Sequence, residues 1–409
     1  MGEERHAMSG TVAGATDERT TRLLRVGGGP AQTEGPPSPA AALTRAGPPD
    51  DGRRGAPRLT VAPSLASARC WDAFAQACDA SFWSSRGGAW MWQFKLHARF
   101  RLRFFDLILT MPTGERCKIG QCAVGLGPRL RVIADGLTLK PDYADLWPVA
   151  MESLLGHLGP GRYVYGSFWS TEVPRHRAIL RLPHTRVVAV RRLVVEAIDL
   201  KRAERWSDFL GRVSRNIVRN ARGFHQAHAD RRFIVRHGVG CLTLLPKAIR
   251  LRRRMYDRKR IAFSQTRAVV SYVMRSLLLR RYVLMRVTVA GRRVLASAGT
   301  VAFGESVSFL DGASAPTPAG AGWDVLLHAI EDAHRSGRTR FQLGYTDVTD
   351  EFDGGDWVSP VRYRRDCRAR AIETSLFAFD FAVEGAGDRS IPPVLLERTD
   401  PCWTGEARA

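Results

Sequence analysis

Lysine is nearly missing from this chain. Only six of its 62 basic residues are lysine (Lys95, Lys118, Lys140, Lys201, Lys247 and Lys259), so arginine carries almost all of the formal charge of +22. A compositional bias toward arginine explains that pattern as well as a built basic surface does. The charge therefore predicts loose affinity for polyanions without making nucleic acid the expected partner. Paired cysteines are missing too. Seven cysteines, odd in number and with no Cys-x-x-Cys, argue against a disulfide framework and fit reduced, mostly buried thiols in a cytoplasmic protein. No apolar run reaches 18 residues and no signal-peptide core follows Met1, so neither membrane insertion nor export is expected. His225-x-x-His228 has helical spacing but no carboxylate or cysteine close by in sequence, and no metal site is expected.

What is present is an ordinary globular composition, 44% hydrophobic and 25% charged, over 409 residues, enough for two or three domains. Residues 1–57 are rich in Gly, Pro, Ala and charge without apolar periodicity, and are expected to be disordered. A short helix from Trp71 precedes strands at 101–109, 116–126 and 129–137, a helix at 143–158 and a strand at 162–169. Residues 203–222 read as one long helix. Its buried stripe is Trp206, Phe209, Leu210, Val213 and Ile217, and Arg212, Arg215, Arg219 and Arg222 share the opposite face. Helices near 244–260 and 267–281 follow, the second expected to bury Val270, Val273, Met274 and Leu277. A three-strand meander over 282–311 leads to a loop and helix, a strand at 340–344, an acidic connector at 346–356, and strands near 360–366 and 369–381. The order of helices, meander, helix and strands occurs twice. This divides the chain into halves at 58–200 and 201–385, with a tail at 386–409.

The stretch from Ser308 to Gly344 organises the second half. A strand ends near Asp311-Gly312, the small residues Thr317-Pro318-Ala319-Gly320-Ala321-Gly322 follow, and Trp323, Leu326, Leu327 and Ile330 mark a helix that Gly337 closes. A small-residue loop entering a helix N-terminus is suited to anions, because its unpaired N–H groups point outward and glycine lets the backbone approach closely. His334, on the apolar side of that helix, is expected to be a core histidine bonded to a carbonyl.

Four segments of the second half carry a family resemblance: SRNIVRNARGF (214–224), VLASAGTVAFGESVSFLDGAS (294–314), PAGAGWDVLLHAIEDAHRSG (318–337), and FQLGYTDVTDEF with Trp357 (341–357). They resemble the CelD-type branch of GNAT acyltransferases, associated with cellulose and exopolysaccharide biosynthesis, and more distantly the FemAB-like double-GNAT transferases. The resemblance implies an α/β (α+β) fold of tandem GNAT-like halves, each a mixed, mostly antiparallel sheet flanked by helices. The first half would be degenerate and the second catalytic. It also implies acetyl-CoA or another acyl-CoA as co-substrate, held at Leu310, Gly312, Thr317, Gly320, Ala321, Gly322 and Trp323. Thr317 stands where the family commonly has Gln or Arg. Direct transfer to an amine or hydroxyl would use a backbone N–H near Leu310 or Gly312 to polarise the thioester. Asp311 and Tyr345 are the first candidates for proton transfer, ahead of Asp347 and Glu305. The acceptor and the oligomeric state stay open. A non-catalytic scaffold, or an aminoacyl transferase using charged tRNA that contacts the arginine stripe, are the alternatives.

Overall fold

The computed structural model describes residues 57–95, 100–127, 130–166, 177–316, 320–347, 364 and 366–382. The segment expected to be disordered (apart from Pro57), the 386–409 tail, Thr317, Trp357 and the acidic connector beyond Asp347 lie outside these residues.

Among the described residues twelve strands form one sheet: β1 Arg58–Pro63, β2 Arg101–Thr110, β3 Arg116–Leu126, β4 Arg131–Leu139, β5 Gly161–Gly166, β6 Thr185–Asp199, β7 Arg232–His237, β8 Val283–Ala290, β9 Arg293–Phe303, β10 Ser306–Ser314, β11 Arg340–Asp347 and β12 Arg370–Phe381. Their spatial order is β1-β2-β3-β4-β5-β12-β6-β11-β10-β9-β8-β7. Neighbours run antiparallel except β4·β5 and β10·β11. The halves meet by exchange. β12, the last strand among the described residues, lies between β5 and β6, while β6 lies between β12 and β11.

Eight α-helices among the described residues cover the sheet: α1 Ala68–Ala77, α2 Arg86–Lys95, α3 Trp147–Leu158, α4 Trp206–Arg212, α5 Arg215–Ala227, α6 Leu245–Lys259, α7 Gln265–Leu278 and α8 Ala321–Arg335. Side chains alternate along a strand, so the two faces of β8 and β9 meet different helices. Val283, Met285, Val287 and Val301 join the core with Trp71, Ala248, Ile249 and Tyr272, from α1, α6 and α7. Ala296 and Ala298 face the other way, toward Phe224 of α5 and Ala321 and Val325 of α8. On that second face Val307 and Phe341 pack with Leu326 and Ile330 of α8 and with Phe209, Val213 and Ile217. Local signals set several boundaries. Ser67 caps α1 by accepting from Cys70 N at 3.2 Å, and Gly337, at φ +70°, lets the chain leave α8.

Three sequence expectations change. The helix read over 203–222 is two helices, α4 and α5: Val213 is extended at ψ 152°, and the Ser214 N–H donates to Asp366 O at 3.0 Å. The buried stripe holds across that break because Val213 and Ile217 both pack into the same core. In α7 the inward face differs from the expected one: Tyr272, Arg275 and Ser276 are buried, while Leu277 is 50% exposed. Both stripes have helical spacing, and a buried partner for Arg275 selects the polar one. Near 360–366, where a strand was expected, Arg364 and Asp366 have helical backbone and Pro360–Tyr363 lie outside the described residues.

Candidate active site

Two bulges open the centre of the second half. β10 and β11 pair in parallel at Ser306↔Arg340, Val307↔Phe341 and Ser308↔Gln342, and no further. Beyond that point β10 continues against β9 with a register shift between Phe309 and Asp311, while β11 continues against β6 with a shift between Gln342 and Gly344. A bulge bends its strand and leaves one residue out of the ladder. Here both strands bend just past their last shared pair, where Ser308 Oγ donates to Gln342 Oε1 at 2.8 Å. Leu310 is the residue left out on β10. The extra residue also turns both Leu310 and Asp311 toward α6 and α7, where Leu310 joins the α1–α2–α6–α7 core. The counterpart pair β4·β5 stays together through Gly166, the last residue of β5.

A cavity of about 580 Å³ occupies the parting. Its walls are Leu310, Asp311 and Gly312 of β10, Gly344 and Tyr345 of β11, Gly320, Ala321, Gly322 and Trp323 at the start of α8, and Arg252, Met255, Arg258 and Lys259 of α6. Of the site residues expected from sequence, Leu310, Asp311, Gly312, Gly320, Ala321, Gly322, Trp323 and Tyr345 line it; the weaker candidate Glu305 does not, and Thr317 and the Asp347 side chain lie outside the described residues.

Among the described residues no side chain caps α8 at Gly320, and its first intrahelical bond runs from Asp324 N to Gly320 O at 2.9 Å. The N–H groups ahead of that bond therefore carry the positive end of a four-turn helix to the cavity wall. The glycines have reasons beyond approach to a ligand. Gly320 has φ +97°, and a Cβ there would collide with Asn220 O, so it is the contact point between α8 and α5. A Cβ on Gly322 would meet only Ser314, at 3.3 Å. Asp324, in the first turn, is buried and takes a two-pronged ion pair from Arg231, at 3.0 and 3.1 Å.

Asp311 is gripped from several sides. Tyr272 Oη donates to its Oδ1 at 2.5 Å, Arg275 Nη1 donates to Oδ2, and Arg252 Nη1 is 3.8 Å from the same oxygen. Gly299 stands opposite on β9, where a Cβ would come within 3.1 Å of Asp311 Oδ1. Burial pushes the Asp311 carboxyl up, but Arg275 and Arg252 outweigh that and hold it below the ordinary carboxylate value. Burial, then the Asp311 charge, push the Tyr272 phenol above its ordinary value. A carboxylate so held is ionised and engaged, which makes it a weak proton acceptor.

Tyr345 is half-buried and lines the cavity from β11, and its carbonyl accepts from Arg364 Nη1 at 3.1 Å. Arg364 also pairs with Glu196 Oε2 of β6 at 2.5 Å, both side chains being 9% exposed. Gly344, at φ +139°, makes room for that guanidinium, since a Cβ there would lie 2.5 Å from Arg364 Nη2. Glu305 stands at the zipped end of β10, where it accepts from Thr339 Oγ1 at 2.9 Å. Asp347 ends β11. His334 Nε2 meets Ala203 O at 2.8 Å, as the sequence led us to expect. Arg252, Tyr272, Arg275 and Arg364 escaped the sequence reading. One signal for them existed: Arg252 sits on the inward face of α6 among Ala248, Ile249 and Tyr256, where an unpaired arginine would not be tolerated.

No protein-family model matches the chain, and no curated protein matches it by sequence. Solved structures do match by fold. FemX aligns over 79% of this chain and 97% of its own, with a TM-score of 0.58 at 11% identity. L-PGS from Bacillus licheniformis covers 84% of this chain and 98% of its own (TM-score 0.47, 12% identity). A tandem GNAT protein from the clavulanic acid biosynthesis pathway covers 81% and 100% (0.41, 12%). At such identities the likeness is one of fold, and FemX carries it: this is a mixed α/β protein with a large, mostly antiparallel sheet, structurally similar to GNAT-fold proteins.

Proposed function

We propose that this protein transfers an acyl group from an acyl-CoA to an amine or hydroxyl acceptor, using the parting of β10 and β11 as its active site. One observation carries the reading: the strands separate beyond Ser308/Gln342, and the gap holds an unladdered Leu310 on one wall and the uncapped start of α8 on another. The first residues of α8 would hold the donor diphosphate. The thioester would then lie between the strands, its carbonyl oxygen accepting from the Leu310 N–H. The acceptor nucleophile attacks the carbonyl carbon, the C–S bond breaks, and Tyr345 gives its proton to the departing thiolate. The acceptor's own proton leaves through water. Asp311 serves by position rather than by proton transfer, since Arg275, Arg252 and Tyr272 clamp it and so hold the bulge beside it. Placing both substrates side by side supplies much of the acceleration.

The first half, 58–200, would be a degenerate partner whose parallel strands stay paired through Gly166, the last described residue of β5, and the second, 201–385, the catalytic one. The resemblance to the CelD-type branch favours envelope or exopolysaccharide biosynthesis in the cytoplasm as the setting. Among the described residues no helix is long and apolar enough to cross a membrane.

The test is a panel of acyl-CoA species, read by thermal stabilisation and by thiol release, on wild-type protein and on Gly322→Asp. Aspartate suits a first helical turn electrostatically, so the fold is retained while a donor diphosphate is repelled. Equal acyl-CoA stabilisation of the two proteins would remove α8 from the site.

A second reading takes charged tRNA as donor. Arg212, Arg215, Arg219 and Arg222 are exposed, and α5, which carries three of them, touches α8 at Asn220–Gly320. Binding that falls steeply with salt, and weakens in Arg219→Ala and Arg222→Ala, would favour this reading.

A further inference from the structure

We infer that the acceptor is an anion, and that its carboxylate or phosphate is seated by Arg258 and Lys259 at the mouth of the cavity. The inference rests on the acyl-transfer reading and concerns the side of the site that reading leaves open. The parted strands join two different surroundings. α8 and its N–H groups lie on the face of Val307 and Phe341, whereas α6 lies on the opposite face, with Leu310 and Asp311. A donor whose phosphates sit at α8 must pass its thioester between the strands to reach the α6 side. The acceptor therefore approaches along α6.

That approach is cationic. Arg252, Met255, Tyr256 and Lys259 repeat at helical spacing along the cavity-facing side of α6, and Arg258 flanks them. Among the described residues the cavity is lined by four cationic side chains, Arg252, Arg258, Lys259 and Arg364, against one carboxylate, Asp311. The deeper charges have duties already: Arg364 binds Glu196, and Asp311 binds Arg275. Arg258 and Lys259 are exposed at the rim, and neither forms an ion pair with a carboxylate among the described residues. Two cations at the mouth of a low-dielectric cleft attract an anion and orient the amine or hydroxyl behind it toward the thioester.

The experiment compares matched acceptors on the full chain, by calorimetry without donor and by thiol release with acetyl-CoA. Glucosamine 6-phosphate is set against glucosamine, and a dipeptide with a free carboxylate against its carboxamide. The expected result is a preference of about tenfold or more for one charged member, the size two solvent-facing ion pairs supply. The preferred pair tells phosphate from carboxylate. In Arg258→Ala/Lys259→Ala the preference collapses through KM rather than kcat, and in Arg258→Glu/Lys259→Glu it reverses. Equal use of charged and neutral members, binding of neither charged probe, or a loss of acetyl-CoA affinity in the alanine variant equal to the loss for acceptors would each overturn the inference. If a charged probe binds through these two residues while no acyl-CoA binds, the donor reading falls and this one stands. If acyl-CoA binds and acceptor charge makes no difference, the reverse holds.

Discussion

Asp311→Asn keeps the shape of a side chain that two guanidinium groups and a phenol surround, and removes its charge. The Asp311 and Arg275 side chains are each only 4% exposed, Tyr272 donates at 2.5 Å, and Arg252 stands 3.8 Å away. With the charge gone, Arg275 and Arg252 face one another in a buried space without the carboxylate that held them together. Removing one partner of a buried pair costs about 3–5 kcal/mol. Tyr272→Phe removes a single hydrogen bond to a charged group, worth about 1.5–3 kcal/mol. Urea unfolding followed by tryptophan fluorescence should therefore rank Asp311→Asn as the more damaging variant, with a lower midpoint at unchanged slope. The pH dependence adds a second check. Because the folded Asp311 titrates below its ordinary value, its contribution is complete above the unfolded pKa of about 3.9 and is lost as pH falls through the folded one. The gap between wild type and variant should be flat above about pH 5 and shrink below about pH 4. A neutral-pH gap under about 1 kcal/mol, well short of the cost of a broken buried pair, would refute the reasoning. So would a gap that widens on acidification, or a larger effect from Tyr272→Phe.

Gly320→Ala should destabilise the fold by more than about 1 kcal/mol, since its φ and the Asn220 carbonyl both oppose a Cβ, whereas Gly322→Ala should cost less; denaturation midpoints decide. Tyr345→Phe should lower kcat by about 10²–10⁴ with little change in acyl-CoA affinity, and a kcat within about twofold of wild type would remove it as the proton donor. Leu310→Pro takes away the N–H of the residue that the β9 register skips, so far-UV circular dichroism should be retained while kcat falls by about 10²–10³. Loss of strand signal instead would show that this amide serves the sheet.

Much of the second half was legible because its signals are local. The meander turns carry Gly291 and Gly304, both at positive φ, and α8 begins and ends at the glycines that mark it. Site residues such as Leu310, Gly312, Gly320 and Tyr345 were visible as strand ends and loop residues beside one another in the chain. What escaped has non-local causes. β1 and β7 are short strands that exist because β2 and β8 offer them an edge. The break between α4 and α5 is held by the Asp366 carbonyl, 152 positions away along the chain. The inward turn of Tyr272 and Arg275, in place of Val270 and Val273, makes sense only with Asp311 facing α7 from β10.

Periodicity, glycine placement and a small-residue loop were enough to specify a repeated meander–helix–strand unit and to bring a helix N-terminus near the end of β10, since each depends on contacts within a few residues. Two matters were left for tertiary structure. Whether β10 and β11 zip or part depends on bulges whose register is read only against β9 and β6. The character of Asp311, base or anchor, depends on two arginines and a tyrosine that arrive from other helices, because the charge on a buried group is set by its neighbours in space.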